Sequence, residues 1–530
     1  MDIGYFAECM VKWWGDLSYT VWMYFALLLP LTAIIYHLTA KRNRRFVLLI
    51  VSWFFFFSLS GMLLAANILA SVFVWITGNL LSRISEDKST KRKERRKKKK
   101  RVLIFCVTAL LLVLVLFKYL DFIGLNIVRI TQAFGIAYDW KLLNIVAPVG
   151  ISYYTLEAIA YLSDIYWEKI PAEKSFVNIA LFLSFFPKLI EGPITRYSEA
   201  APLFSGPPVT VNNLASGYQR ILWGLFKKLV IADHLAPAVD SLFNAELMDG
   251  GVALFAALAF TIQEYMDFSG AIDIAVGSAR VFGVNLSENF RQPFFAKNAS
   301  DFWRRWHITL GTFFRDYIFY PISLSKRAAK ISGKIRNIFG QNAGRFTTPA
   351  IALFFVWLSN GLWHGARWTY IFYGMYYFVL ILIENILEEP FTGLLEKLHM
   401  TEESIPVRIF RYIKLLFIVM IGEMFFRADT FGQGLDMLKC IFTDLRFDVL
   451  AANLQNIGID RYGYFAVITG TIVVMIVETL REAGFPLRAR LAALPAPVRY
   501  CFWYICIFFV IIFGAYGVGY DAADLVYAQF

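Results

Sequence analysis

FVLLIVSWFFFFSLSGMLLAANILASVFVWITGNL, residues 46–80, contains no Asp, Glu, Lys or Arg. A helix that crosses a bilayer needs about 20 mostly apolar residues, so this stretch is long enough for two crossings. Lys41, Arg42, Arg44 and Arg45 stand on one side of it and KRKERRKKKKR, residues 91–101, on the other. Basic residues flanking apolar spans favour the cytoplasm. A pair of crossings between two basic clusters satisfies that rule without strain.

Outward from this stretch the pattern repeats. Residues 21–36, 102–117, 142–165, 368–386, 409–426, 464–477 and 498–518 are further apolar segments. Others are interrupted by Gly, Pro or charge, which predicts about 11–15 transmembrane or re-entrant helices in all. A chain of 530 residues that is 58% hydrophobic and 17% aromatic carries more apolar surface than one water-soluble core can bury. The expected fold class is all-α and polytopic. The first segment follows Asp2, Glu8 and Lys12 and precedes the basic cluster at 41–45, the reverse of a cleavable signal peptide. It should stay in the mature protein, with the N-terminus outside.

Two regions are expected. Residues 1–101 form N-terminal transmembrane helices ending in a basic cytoplasmic loop, and residues 102–530 form one continuous helical bundle with polar connections at 202–213 and 325–348. No internal repeat of fixed period is visible, which weighs against the inverted-repeat transporter folds. The net charge of +12 gathers at membrane-flanking positions, 91–101 and 326–336. That placement suits topology and contact with anionic lipid, with an acidic protein or polymer as the alternative, and it argues against nucleic acid. The five cysteines, Cys9, Cys106, Cys440, Cys501 and Cys506, form no CxxC pair and have no neighbouring His. They read as buried apolar residues without a metal or redox role.

Ionisable residues at membrane depth are costly, so each is a functional candidate with structural pairing as its rival. In residues 262–290, Glu264 and Asp267 share a helix face while Asp273 points elsewhere, and Ser269, Gly270, Ala271 and Gly277 permit close helix approach. These carboxylates either pair with the arginines of the next segment or, Asp267 above all, touch substrate. In DFWRRWHITLGTFFRDYIFYP, residues 301–321, a continuous helix would align Arg304, His307, Gly311 and Arg315 on one stripe. That stripe is either a slot for an anionic donor group or part of an interfacial belt with snorkelling arginines. In FFVWLSNGLWHGARWTYIFYGMYY, residues 354–377, His364 sits beside Asn360, Gly361 and Gly365, which weaken the helix and leave room for a ligand. Imidazole is the side chain best suited to accept a proton near neutrality. His37, His234 and His399 read as surface or interfacial residues.

At these motifs the chain resembles the membrane-bound O-acyltransferases, in the bacterial branch that contains the alginate O-acetylation membrane protein and its peptidoglycan, cellulose and teichoic-acid relatives. The resemblance rests on VAPVGISYYTLEAIAYLSDIY (146–166), FFPKLIEGPITRY (185–197), YMDFSGAIDIAVGSARVFG (265–283), ENF (288–290), FWRRWHITLGTFFRDYIFYP (302–321), LWHGARWT (362–369) and the ending LVYAQF (525–530). It implies that His364 is the catalytic histidine and His307 a second important one. It also implies a ring of helices around a central funnel, a cytoplasmic acyl thioester (acetyl-CoA or a carrier-protein thioester) as donor with no bound cofactor, and an extracytoplasmic or membrane-anchored partner protein that completes transfer to a polysaccharide. Lys188 and Glu191 stand where an uncharged amide and a small residue are expected, and Ala271 and Ile272 where a more polar pair is. O-acetylation is the leading expectation. D-alanyl transfer towards teichoic acid and transport of a polymer precursor are the alternatives.

Overall fold

The structure is a computed structural model and describes residues 23–453 and 457–516. The acidic N-terminal residues, Cys9 and the LVYAQF ending lie outside the described residues. All regular structure among the described residues is helical, and six helices are long and apolar enough to cross a membrane: Lys41–Glu86, Arg92–Lys118, Gln341–His364, Trp368–Lys397, Arg461–Glu482 and Ala496–Phe513. Large apolar side chains point outward along them, with Ile50, Leu69, Phe105 and Ile512 each about two-thirds exposed. A water-soluble protein would not tolerate such continuous apolar surface, whereas lipid does. The chain is a multi-pass helical membrane protein.

The described residues form two compact units. The first is built from those up to Ile221 together with Ala271–Ser287. Its opening apolar stretch makes two helices, α1 (Arg44–Ser60) and α2 (Leu64–Glu86), because Gly61 adopts φ +52°, a left-handed conformation that favours glycine. The basic run at 91–101 is not a loop. It forms the first turns of α3 (Arg92–Lys118), since Lys and Arg are good helix formers and extending an existing apolar helix is cheap. The apolar stretch from 142 becomes helical only at α4 (Ile151–Tyr166). Pro148 disfavours helix before it, Gly150 turns at φ +69°, and Asp121 holds the preceding segment by accepting from Trp140, Leu143 and Asn144.

Next, α5 (Phe176–Ser184) packs against α1 and α2. Lys188 forms a buried ion pair with Glu157, which also accepts from the Thr195 amide, so the lysine at an unexpected position is neutralised within the unit. Two long helices, α6 (Val211–Leu225) and α7 (Gly250–Val281), contribute to both units. Their close approach depends on glycine: a Cβ on Gly277 would lie 2.7 Å from the Gly217 carbonyl, and one on Gly270 would lie 2.9 Å from that of Gly224. The close packing expected of the small residues is present.

The second unit holds Leu222–Gly270 and the described residues from Glu288 onward. It contains α8 (Ala299–Arg305), α9 (Ile308–Phe314), α10 (Lys326–Phe339), α11 (Gln341–His364), α12 (Trp368–Lys397) and α13 (Ile405–Arg427), followed by the Arg461–Glu482 and Ala496–Phe513 helices. The expected polar connection at 325–348 is mostly α10, a basic amphipathic helix capped by Ser325 and turned into α11 by Gly340 at φ +89°. Here helix propensity and an apolar face packed on α11 overrode the reading of Lys, Arg and Gly as loop. His234 is buried and bonded to the Phe513 carbonyl at 3.0 Å, so it is not a surface residue. Cys501 is exposed and Cys440 and Cys506 half-buried, so of the described cysteines only Cys106 meets the expectation of burial.

Candidate active site

His307 does not sit within a helix. Its φ of +44° places it at a left-handed junction between α8 and α9, and this divides the stripe that a continuous helix would have made. A non-glycine residue in that region costs about 1–2 kcal/mol, so something must impose it. Two backbone bonds do so, from the Arg291 amide to the Arg305 carbonyl at 2.9 Å and from the Ile308 amide to the Asn289 carbonyl at 3.0 Å. Asn289 Oδ1 then accepts from the Thr309 amide at 3.0 Å and hydroxyl at 2.8 Å, and faces His307 Nδ1 at 3.4 Å.

Because that oxygen is the acceptor for Thr309, the His307 contact requires hydrogen on Nδ1, so in the neutral ring Nε2 is the unprotonated nitrogen. His307 lies outside the six apolar spans, and burial pushes its imidazolium down to about 3, so the ring is neutral at physiological pH. Strain of this kind at an imidazole is the sort that accompanies function. Asn289 lies in the ENF motif, yet composition and spacing assign it no role; only the chain reversal at His307 reveals one.

The consequence for the arginines is direct. Arg304 and Arg315 have side chains 70% and 54% exposed and pair with their neighbours Asp301 and Asp316. They lie away from the buried imidazole. Their charge is also not met by the carboxylates of α7, as the sequence suggests: Asp267 is buried against Lys228 at 2.6 Å, which also holds Asp233 at 2.7 Å, and Asp273 pairs with Arg220 at 2.8 Å. Lys228 lies in Phe226–Ala232, a wide helical turn of the kind often retained at functional sites.

His364 is 2% exposed and is the last residue of α11. Its ring is enclosed by aromatics: Trp363 at 5.2 Å between centroids, Phe426 at 5.1 Å, Tyr373 at 5.8 Å and Tyr370 at 6.4 Å. Trp363 also packs on His307 at 5.5 Å, and Phe268 does so at 4.9 Å. The two histidines thus share the Trp363 ring as a common wall. Asn360, one turn before His364, is buried on the same helix face, and its Oδ1 has no hydrogen-bond partner among the described residues. Burial of the whole group removes water, which strengthens any polar interaction made there.

The glycines separate into two kinds. A Cβ on Gly361 would lie 2.4 Å from the Tyr370 carbonyl, and one on Gly374 would lie 2.2 Å from the Trp357 carbonyl. Gly361 therefore lets α11 meet α12 and does not make room for a ligand, contrary to the sequence reading. Gly311 is different, since a Cβ there would meet only the Trp303 carbonyl at 3.6 Å. Gly361→Ala is expected to destabilise the protein by about 1–3 kcal/mol, whereas Gly311→Ala leaves stability unchanged or slightly raised. Unfolding temperatures of the two variants in detergent check the contrast.

The fold is that of a multi-pass helical membrane protein, and two buried histidines pack on one tryptophan within it. The membrane-bound O-acyltransferase family model, MBOAT, matches residues 167–426. A probable alginate O-acetylase AlgI of Azotobacter vinelandii is 32% identical over 421 residues, covering 79% of this chain and 76% of that protein. The peptidoglycan O-acetyltransferase of Helicobacter pylori is 32% identical over 353 residues, 61% of each chain. The teichoic acid D-alanyltransferase of Bacillus subtilis is 26% identical over 254 residues, 46% of this chain and 61% of that one. The chain belongs to the membrane-bound O-acyltransferase family and is an acyltransferase.

Proposed function

We propose that this acyltransferase moves an acetyl group from a cytoplasmic thioester towards O-acetylation of an extracytoplasmic polysaccharide, with His364 as general base. The observation that carries the reading is the shared aromatic enclosure of His364 and His307 around Trp363. In that water-poor setting a neutral His364 takes the proton of an acceptor hydroxyl as its oxygen attacks the thioester carbonyl. His307, with hydrogen on Nδ1 towards Asn289, offers Nε2 to an N–H or O–H of the donor and so orients it. Asn360 is the second group we assign to donor contact.

Arg304 and Arg315, exposed on α8 and just after α9, suit an anionic portion of the donor or lipid headgroups at the rim. The acetyl group is favoured because the relatives of higher identity are O-acetylases and an O-acetyltransferase. We place the protein in the bacterial cytoplasmic membrane with the basic 91–101 and 326–336 segments on the cytoplasmic side, and assign completion of transfer to a secreted or membrane-anchored partner protein. Mild alkaline release from purified envelope or secreted polymers of a strain with and without the gene tests the reading. Loss of acetate is the expected result. Loss of D-alanine instead would replace acetyl by D-alanyl transfer, and no change in either would overturn both.

A further inference from the structure

The helix α10 carries five cations, Lys326, Arg327, Lys330, Lys334 and Arg336, and no carboxylate. In the other basic run, Lys98 and Lys99 pair with Glu94 and Glu168. Among the described residues no ion pair involves any of the five on α10, and all five are exposed. At 100° per residue, Arg327, Lys330, Ile331, Lys334 and Ile338 fall within about 100° of arc. Three cations and two isoleucines therefore share one outward stripe, with Ile331 45% and Ile338 70% exposed. Ala328 and Ser332 lie beyond its edge: Ala328 is buried, and Ser332 Oγ donates to α11 at the Gly344 carbonyl, 2.7 Å away. Leu324 just before the helix and Phe339 at its end are also exposed. Only Gly340 separates α10 from α11, which is one of the six apolar spans and exposes Phe355 on its own outer side. The stripe is thus continuous with a surface that faces lipid.

We propose that α10 lies along the membrane surface and binds anionic phospholipid, its cations meeting headgroup phosphates while Leu324, Ile331, Ile338 and Phe339 enter the edge of the acyl region. Cations alone would suit water or an acidic protein equally well. Isoleucines set between them do not suit water, and an interleaved stripe of this kind fits the boundary where phosphates and acyl chains meet. The long stems of lysine and arginine allow it, since they lie along apolar surface while the charged end reaches the headgroup. The absence of any carboxylate on the helix leaves every cation available to phosphate. Lipid held there anchors the start of α11 through the Ser332 bond. The inference does not depend on the chemistry assigned to His364.

The test uses the full purified chain in nanodiscs of phosphatidylcholine, with and without phosphatidylglycerol, carrying an environment-sensitive fluorescent residue in place of Ile331 and brominated lipid as quencher. Brominated phosphatidylglycerol is expected to quench the label more than brominated phosphatidylcholine does, because each cation near an anionic surface strengthens association about fivefold. The excess should shrink as added salt shortens the range of the charges. The triple variant Arg327→Gln, Lys330→Gln, Lys334→Gln should lose the excess with little change in unfolding temperature. If that variant does not accumulate, the salt series on the labelled chain decides. A label quenched equally by both lipids at every salt concentration, an excess that salt leaves unchanged, or an excess retained by the triple variant would overturn the proposal. A label that neither lipid quenches but that soluble polyglutamate shields would overturn it as well, assigning the stripe to an acidic protein.

Discussion

His364→Ala is expected to abolish polymer acylation while the protein accumulates to its normal level. Among the described rings that enclose it, Trp363, Tyr370, Tyr373 and Phe426 offer an indole, phenols and a phenyl, whereas the imidazole is suited to take a proton near neutrality. Loss of a positioned general base costs about 100- to 10,000-fold in rate, which corresponds to roughly 3–5 kcal/mol of transition-state stabilisation. His364 ends α11 with no turn of helix depending on its side chain. His364→Gln retains volume and polarity and should be as inactive as the alanine variant. Ester analysis of purified polymer beside an immunoblot for abundance checks both. Retained acylation in either variant sinks the assignment.

His307→Asn is expected to lower activity by at least about tenfold, with little change in unfolding temperature. Asparagine is among the side chains most at ease in the left-handed region, so the α8–α9 junction survives the substitution and only the ring is lost. What disappears is the Nε2 lone pair and the edge-on packing of the ring against Phe268 and Trp363. Because the substitution removes donor orientation and not the base, the deficit should appear chiefly as a raised requirement for donor. Initial rates over a range of acetyl-CoA concentrations in membrane vesicles make the distinction. A normal donor dependence would move His307 from donor contact to a purely structural role.

Much of the architecture was legible because lipid imposes a simple demand. Every backbone polar group must be satisfied within its own segment, so long uncharged runs such as 46–80 read directly as helices. Local propensity misled at three places. The basic run at 91–101 and the segment at 325–348 looked like loops, yet both are helical because their lysines and arginines continue or flank apolar helices. The run from 142 looked helical, yet Pro148 and Gly150 delay the helix to Ile151. Periodicity also placed Arg304, His307, Gly311 and Arg315 on one stripe, which presumes an unbroken helix. The tie between Asn289 and the His307 region breaks it, and that bond joins residues far enough apart in sequence that no local rule reports it.

By itself the sequence determined that this chain spans a membrane many times as helices, and its ordered motifs singled out His364 and His307. Those facts follow from composition, charge placement and residue chemistry, which are properties of segments. Only the tertiary structure decided that the two histidines share Trp363, that Gly361 serves helix contact, that Asp267 answers to Lys228, and that the Tyr373 hydroxyl donates to Glu423. Each of these joins residues on different helices. Helical periodicity states which face a side chain occupies but not which neighbour that face meets, and that choice is made by packing.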